Sequence, residues 1–155
     1  MKEVTGDIWD LARNCIICVS TNGDVNKRGE AVMGRGLALE AKQRYPHFPA
    51  MLGYRLKTYG NTIHVFSGEN EVIGPEYYWV VTIPVKHHWY ETANLNLIRT
   101  SLTDLIEELR LVPPGMPVYL TRLGCANGAR DWKTEVKPIM QEILKSDRFI
   151  VVEKP

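Results

Sequence analysis

Net charge is nearly missing from this chain: 19 Lys and Arg against 18 Asp and Glu leave +1. That balance excludes a global field drawing in nucleic acid or a membrane surface, so any contact with a polyanion has to be local. Long apolar runs are lacking as well, which predicts no membrane span, and the opening MKEVTGDIWD has no signal-peptide core. Cysteine is scarce and odd in number: three residues fit a reducing cytoplasm better than a disulfide framework. Metal-ligand spacings are missing too. His47, His64, His87 and His88 form no HExxH, and Cys15-Ile-Ile-Cys18 has no second CxxC. On a strand, residues three apart face opposite ways, so those two thiols are expected to be buried and free. Neither a metal nor a cofactor is expected. Repeats, linkers and low-complexity tracts are absent.

What is present suits a soluble globular domain: 155 residues, 45% apolar and 24% charged, enough for one core over 1–155 without staples. Short strands are expected at Lys2 to Thr5, Cys15 to Val19, Ile63 to Phe66, Tyr77 to Val85, Val118 to Leu120 and Phe149 to Val152. Helical spacing appears after the first glycine-rich loop to about Tyr45, again from about Ala50 to Tyr59, and at Asn94 to Leu111. Ile8 to Leu11 reads as a single helical turn. A last stripe runs through Val136, Ile139, Met140, Ile143 and Leu144. Pro138 places the start of that helix near Thr134, because a proline deeper inside costs about 3 kcal/mol. Strands and helices alternate, so the fold class is a three-layer α/β domain with ligands beyond the carboxyl ends of strands.

Ser20 through Leu39, STNGDVNKRGEAVMGRGLAL, leaves one such strand end and runs into a helix. Its glycines allow main-chain N–H groups to converge, and the helix start adds unpaired donors, so the guest would be an anion such as phosphate. A surface loop of turn residues without a ligand is the competing reading. A second loop, Gly124-Cys125-Ala126-Asn127-Gly128, follows another strand, and the two facing each other would cradle two linked phosphates. Neither a dinucleotide fingerprint nor a Walker loop is present. Lys86 follows the apolar strand ending near Pro84, beside His87, His88 and Trp89. Desolvation or a nearby cation would expose its neutral, nucleophilic amine, while a solvated lysine is the plainer alternative. Asp131 is the nearest carboxylate after the second loop, with helix capping as its alternative role. Asp7 could accept from an exocyclic amine or serve a turn.

Gly6-Asp7-Ile8, Asn22 with Val32-Met33-Gly34-Arg35-Gly36-Leu37-Ala38, and Leu123-Gly124-Cys125-Ala126-Asn127-Gly128 with Asp131-Trp132 resemble the macrodomain family, which binds ADP-ribose. The resemblance covers nearly the whole chain and implies a mixed, mostly parallel six-stranded sheet between helices. It implies adenine near Asp7 and Ile8, with the pyrophosphate and distal ribose between the two loops. Met33-Gly34-Arg35-Gly36 and Pro84-Val85-Lys86-His87-His88-Trp89 are most similar to the branch of terminal ADP-ribose glycohydrolases and DNA ADP-ribosyl glycohydrolase antitoxins. That likeness implies Lys86 as nucleophile at the anomeric carbon of the distal ribose, with Asp131 as a candidate acid–base group. The sequence departs from that branch at Val85 (threonine there), in a longer first loop containing Asn26 to Glu30, and at Asn127 and Gly128, where the terminal glycohydrolases carry an aspartate.

The implied activity is an ADP-ribosyl glycohydrolase, and the implied partners are ADP-ribose or an ADP-ribosylated substrate, together with a partner ADP-ribosyltransferase. A reader that binds without turnover and a phosphatase acting on ADP-ribose 1''-phosphate are the other readings. ADP-ribosylated single-stranded DNA is a candidate substrate because Lys27, Arg28, Arg35, Lys42 and Arg44 lie near the first loop and Trp89 and Tyr90 could stack on a base. Ordinary solvated charge and core aromatics would look the same.

Overall fold

The computed structural model describes residues 1–68 and 74–155. Among the described residues, six strands make one sheet: β1 (Lys2–Thr5), β2 (Ile16–Thr21), β3 (His64–Ser67), β4 (Trp79–Pro84), β5 (Val118–Thr121) and β6 (Phe149–Glu153). They lie in the order β1-β6-β5-β2-β4-β3. Every pairing is parallel except β3 against β4, so this is the mixed, mostly parallel sheet expected.

Among the described residues five α-helices flank it: α1 (Ile8–Leu11), α2 (Gly36–Arg44), α3 (Phe48–Tyr59), α4 (Leu95–Glu108) and α5 (Lys137–Ile143). The pleat sorts them into layers. On β2, Ile16 and Cys18 join one core with Ile98, Leu102 and Leu105 of α4 and Ile139 and Met140 of α5. Ile17 and Val19 face the other way, into a core built from Trp9, Ala38, Ala41, Phe48 and Leu52 of α1, α2 and α3. Consecutive residues of one strand therefore feed opposite cores, which is why its sequence is an unbroken apolar run. Full burial of each such aliphatic side chain contributes roughly 1.5–3 kcal/mol.

Element boundaries moved where local chemistry is ambiguous. β2 begins at Ile16 and continues to Thr21, because Ser20 and Thr21 pair with Ile83 and Pro84 of β4 despite their polarity. α3 starts at Phe48 rather than Ala50, with Pro49 in its first turn, where the missing N–H is not needed. β4 is shorter than the Tyr77 to Val85 run, and α4 closes in a 3-10 turn at Leu109–Leu111. The last helix starts as a π-helical turn, Trp132–Val136, before α5, so Pro138 sits in the first turn of the regular helix rather than a turn inside one starting near Thr134. Cys18 is buried, whereas Cys15 and Cys125 are only partly so, and all three are free. No helix among the described residues is long and apolar enough to cross a membrane.

Candidate functional site

Five parallel strands end on the same rim, and a crevice of ≈ 1080 Å³ opens there. Each strand exit contributes to it. Gly6, Asp7 and Ile8 follow β1; Asn22 follows β2; Lys86 follows β4; Arg122 follows β5; Val152 and Glu153 end β6. This is the position that parallel α/β topology reserves for ligands.

The first loop forms one wall through Gly34, Arg35, Gly36 and Leu37. Arg35 is the N-cap of α2 and supplies no side-chain acceptor, so the first-turn N–H groups are left uncapped by protein. A Cβ at Gly34 would meet no protein atom within 4 Å, so the main chain there faces open space. Met33 does not line the crevice: it is 3% exposed and packed in the core shared by α1, α2 and α3. The alternation of an extended segment turns Val32, not Met33, toward the opening. Asn22 borders the crevice but uses its amide internally, donating to the Val32 carbonyl at 3.0 Å and accepting from the Asp24 N–H at 2.9 Å. It thereby pins the two stems of the loop together.

The second loop, Gly124 to Gly128, forms the facing wall. Gly124 adopts φ +71°, and a Cβ on it would lie 2.7 Å from the Ala93 Cβ. At Gly128 a Cβ would lie 2.4 Å from the Gly124 carbonyl oxygen, so only glycine fits either place. Cys125 keeps its thiol turned to the Leu123 carbonyl at 3.4 Å, and burial pushes that thiol up to about 11. The walls approach closely, since a Cβ on Gly36 would come 3.0 Å from the Asn127 amide nitrogen.

Lys86 crosses that gap. Its Nζ donates to the Asn127 carbonyl at 3.0 Å, on the second loop, and to the Trp89 carbonyl at 3.2 Å. Desolvation in the crevice, followed by the positive charge of Arg35, lowers its pKa, with Glu91 opposing. A lysine tethered by two carbonyls in a partly dry slot is oriented, and the lowered pKa favours its neutral form, both of which suit a nucleophilic amine.

The carboxylates behave differently. Asp7 caps α1, accepting from the Trp9 N–H at 2.9 Å, and borders the crevice. Asp131 also borders the crevice, but one oxygen receives both the Thr134 N–H at 2.8 Å and the Thr134 hydroxyl at 2.6 Å. Those bonds hold its carboxyl below the usual range, so it is an ionised cap of the π-helical turn and not a proton donor near neutrality.

Several residues that tie the crevice walls together escaped the sequence reading. Asp24 binds the His88 ring Nδ1 at 2.8 Å and the Trp89 N–H at 2.8 Å, tying the first loop to the segment after Lys86. Arg130 anchors the second loop, donating to the Ala93 carbonyl at 2.7 Å and to Glu135 at 2.9 Å. Arg130 was recognisable as the cation beside the second loop. Asp24 and His88 lie 64 positions apart, with no motif to join them. No group of three or more His, Cys, Asp or Glu suited to a metal occurs among the described residues.

A sheet of this order with two such loops across its carboxyl rim is the macrodomain fold. Solved structures with this fold include Thermosipho africanus DarTG in complex with ADP-ribose (TM-score 0.78, 22% identity, 99% of this chain and 41% of that one). The macrodomain of Mycobacterium tuberculosis DarG superposes with a TM-score of 0.73 at 24% identity, covering 97% of this chain and 95% of that one. Among curated proteins, a DNA ADP-ribosyl glycohydrolase of M. tuberculosis is 33% identical over 106 residues, 66% of this chain and 29% of that protein. The Thermus aquaticus protein of the same name is 29% identical over 119 residues, 74% of this chain and 31% of its own. The chain thus spans about three-tenths of the curated relatives it matches. No family model matches it.

Proposed function

We propose that this domain binds ADP-ribose in the crevice and releases it from a modified nucleobase or carboxylate, with Lys86 as nucleophile. The observation that carries the reading is the Lys86 amine held inside the crevice between Trp89 and Asn127. The uncapped start of α2 and the open main chain at Gly34 suit the diphosphate. Asp7 and Ile8, at the β1 exit, suit the adenine.

In the reaction, the Nζ lone pair forms a bond to the anomeric carbon of the distal ribose. The bond from that carbon to the base nitrogen or carboxylate oxygen breaks, and the leaving group departs with the electron pair. Water then replaces the amine, releasing ADP-ribose and returning the proton balance. Holding sugar and amine in one frame is the main source of rate, because orientation alone supplies up to roughly 7–11 kcal/mol.

Trp89 lines the crevice and is 51% exposed, and Tyr90 beside it is 68% exposed, so a nucleobase leaving group has an aromatic surface to rest on. With the DNA ADP-ribosyl glycohydrolases among the relatives, that favours ADP-ribosylated single-stranded DNA as substrate and an ADP-ribosyltransferase as the source of the modification. Binding without turnover is the second reading, and the committed cap at Asp131 favours it, because that carboxylate is held by Thr134 rather than free to protonate a leaving group. Incubation with ADP-ribosylated DNA and with ADP-ribosylated carboxylate peptides separates the two. Release of free ADP-ribose is expected, DNA first. Tight ADP-ribose binding by calorimetry with no release from either substrate supports the reader.

A further inference from the structure

Four consecutive carbonyls around Lys86 are each claimed by a different part of the fold. The Pro84 carbonyl accepts from the buried Ser101 hydroxyl at 3.0 Å, and the Val85 carbonyl from the Asn94 N–H at 2.8 Å. The Lys86 carbonyl accepts from the Asn61 side-chain amide at 3.0 Å, and the His87 carbonyl from the Gly23 N–H at 3.1 Å. Asn61 lies just after α3, 25 positions before Lys86, and does not border the crevice.

The other end of that amide is unusual. Asn61 Oδ1 is buried and has no hydrogen-bond partner among the described residues. A buried acceptor left unpaired is destabilising, and rotating the amide would only set that oxygen against the Lys86 carbonyl. The space is also closed to adjustment: a Cβ on Gly23 would lie 2.8 Å from the Asn61 amide and 2.9 Å from the His87 oxygen. The Asn61 amide is satisfied only where it holds Lys86.

We infer that Asn61 is a positioning residue for the nucleophile: by gripping the Lys86 carbonyl from below, it sets the backbone from which the amine reaches the Asn127 carbonyl. The inference rests on the hydrolytic reading of Lys86 given above. Asn61 does not border the crevice, so it acts through the lysine. The charged groups that act on the amine are Arg35, which favours its neutral form, and Glu91, which opposes it.

The test is Asn61→Leu, which keeps the branched shape and removes the donor, with Asn61→Ala as a second variant that only removes atoms. Two quantities are read: kcat and KM on the ADP-ribosylated substrate, and the pH dependence of Lys86 acylation by acetic anhydride in the unliganded protein, followed by peptide mass spectrometry. The expected result is KM within about twofold, kcat lower by at least about tenfold, and a Lys86 profile moved to higher pH as the amine escapes the crevice. Wild-type kcat together with an unmoved profile would overturn the inference, even with a lower melting temperature. If the wild type releases no ADP-ribose from any substrate, the hydrolytic reading fails by itself. The acylation profile then still decides whether Asn61 holds Lys86.

Discussion

The two walls of the crevice do the same work by opposite means. The first loop is long and tied by side chains: Asn22 clamps its stems, Asn26 accepts from the Arg28 and Glu30 N–H groups, and Asp24 reaches His88 and Trp89. Its glycine nearest the opening, Gly34, is free of neighbours. The second loop is short and shaped by crowding, with Gly124 and Gly128 pressed against Ala93 and each other. Glycine therefore has two meanings in one site. Gly34 leaves open space at the crevice, whereas Gly124 and Gly128 let the protein close on itself.

The sharpest way to break that contrast is substitution at the crowded glycine. Gly128→Ala forces a methyl into the Gly124 carbonyl and is expected to destabilise the fold by about 3 kcal/mol in urea unfolding. A loss under about 0.5 kcal/mol would show that the second loop is not built by crowding. Gly34→Leu should do the reverse, leaving unfolding within about 0.5 kcal/mol while ADP-ribose affinity by calorimetry falls by about tenfold or more. Unchanged affinity would remove the first loop from the ligand.

Two smaller effects sharpen the picture of the side-chain-tied wall. Desolvation and Arg35 both favour the neutral form of Lys86, so activity should rise with pH along a limb below the ordinary lysine range. Arg35→Gln removes a positive charge, so the folded-state lysine pKa rises and that limb moves to higher pH; an unmoved limb would uncouple the two residues. His88 is raised above its ordinary value by its hydrogen bond to Asp24. The tie it makes is therefore fully present below the unfolded pKa and lost as pH rises through the folded one. Asp24→Asn should return the His88 titration, followed by NMR, toward the ordinary histidine value, with little change in overall stability because the pair is exposed.

Much of this was legible in the sequence, and the reason is local. The apolar run of β2 and the stripe of α4 follow from periodicity within a dozen residues. Lys86 could be placed because a strand's exit is a local event and the topology rule supplies its destination. What escaped was set across the fold. Whether Met33 or Val32 faces the crevice depends on the register of one extended segment. Asp131 is spoken for by a hydroxyl three residues on, in a π-helical turn that no periodicity announces. Asn61 and Asp24 act on residues 25 and 65 positions away, and only the packed sheet brings them there.

The central claim is that the Lys86 amine attacks the ribose held between these walls. Mass spectrometry of a rapidly quenched reaction with ADP-ribosylated DNA tests it most directly, run on the wild type and on Lys86→Ala. The account predicts an ADP-ribose adduct on Lys86 in the wild type. In the variant it predicts turnover reduced on the order of 10³-fold or more, with ADP-ribose binding kept within several-fold. Wild-type turnover from Lys86→Ala would contradict it.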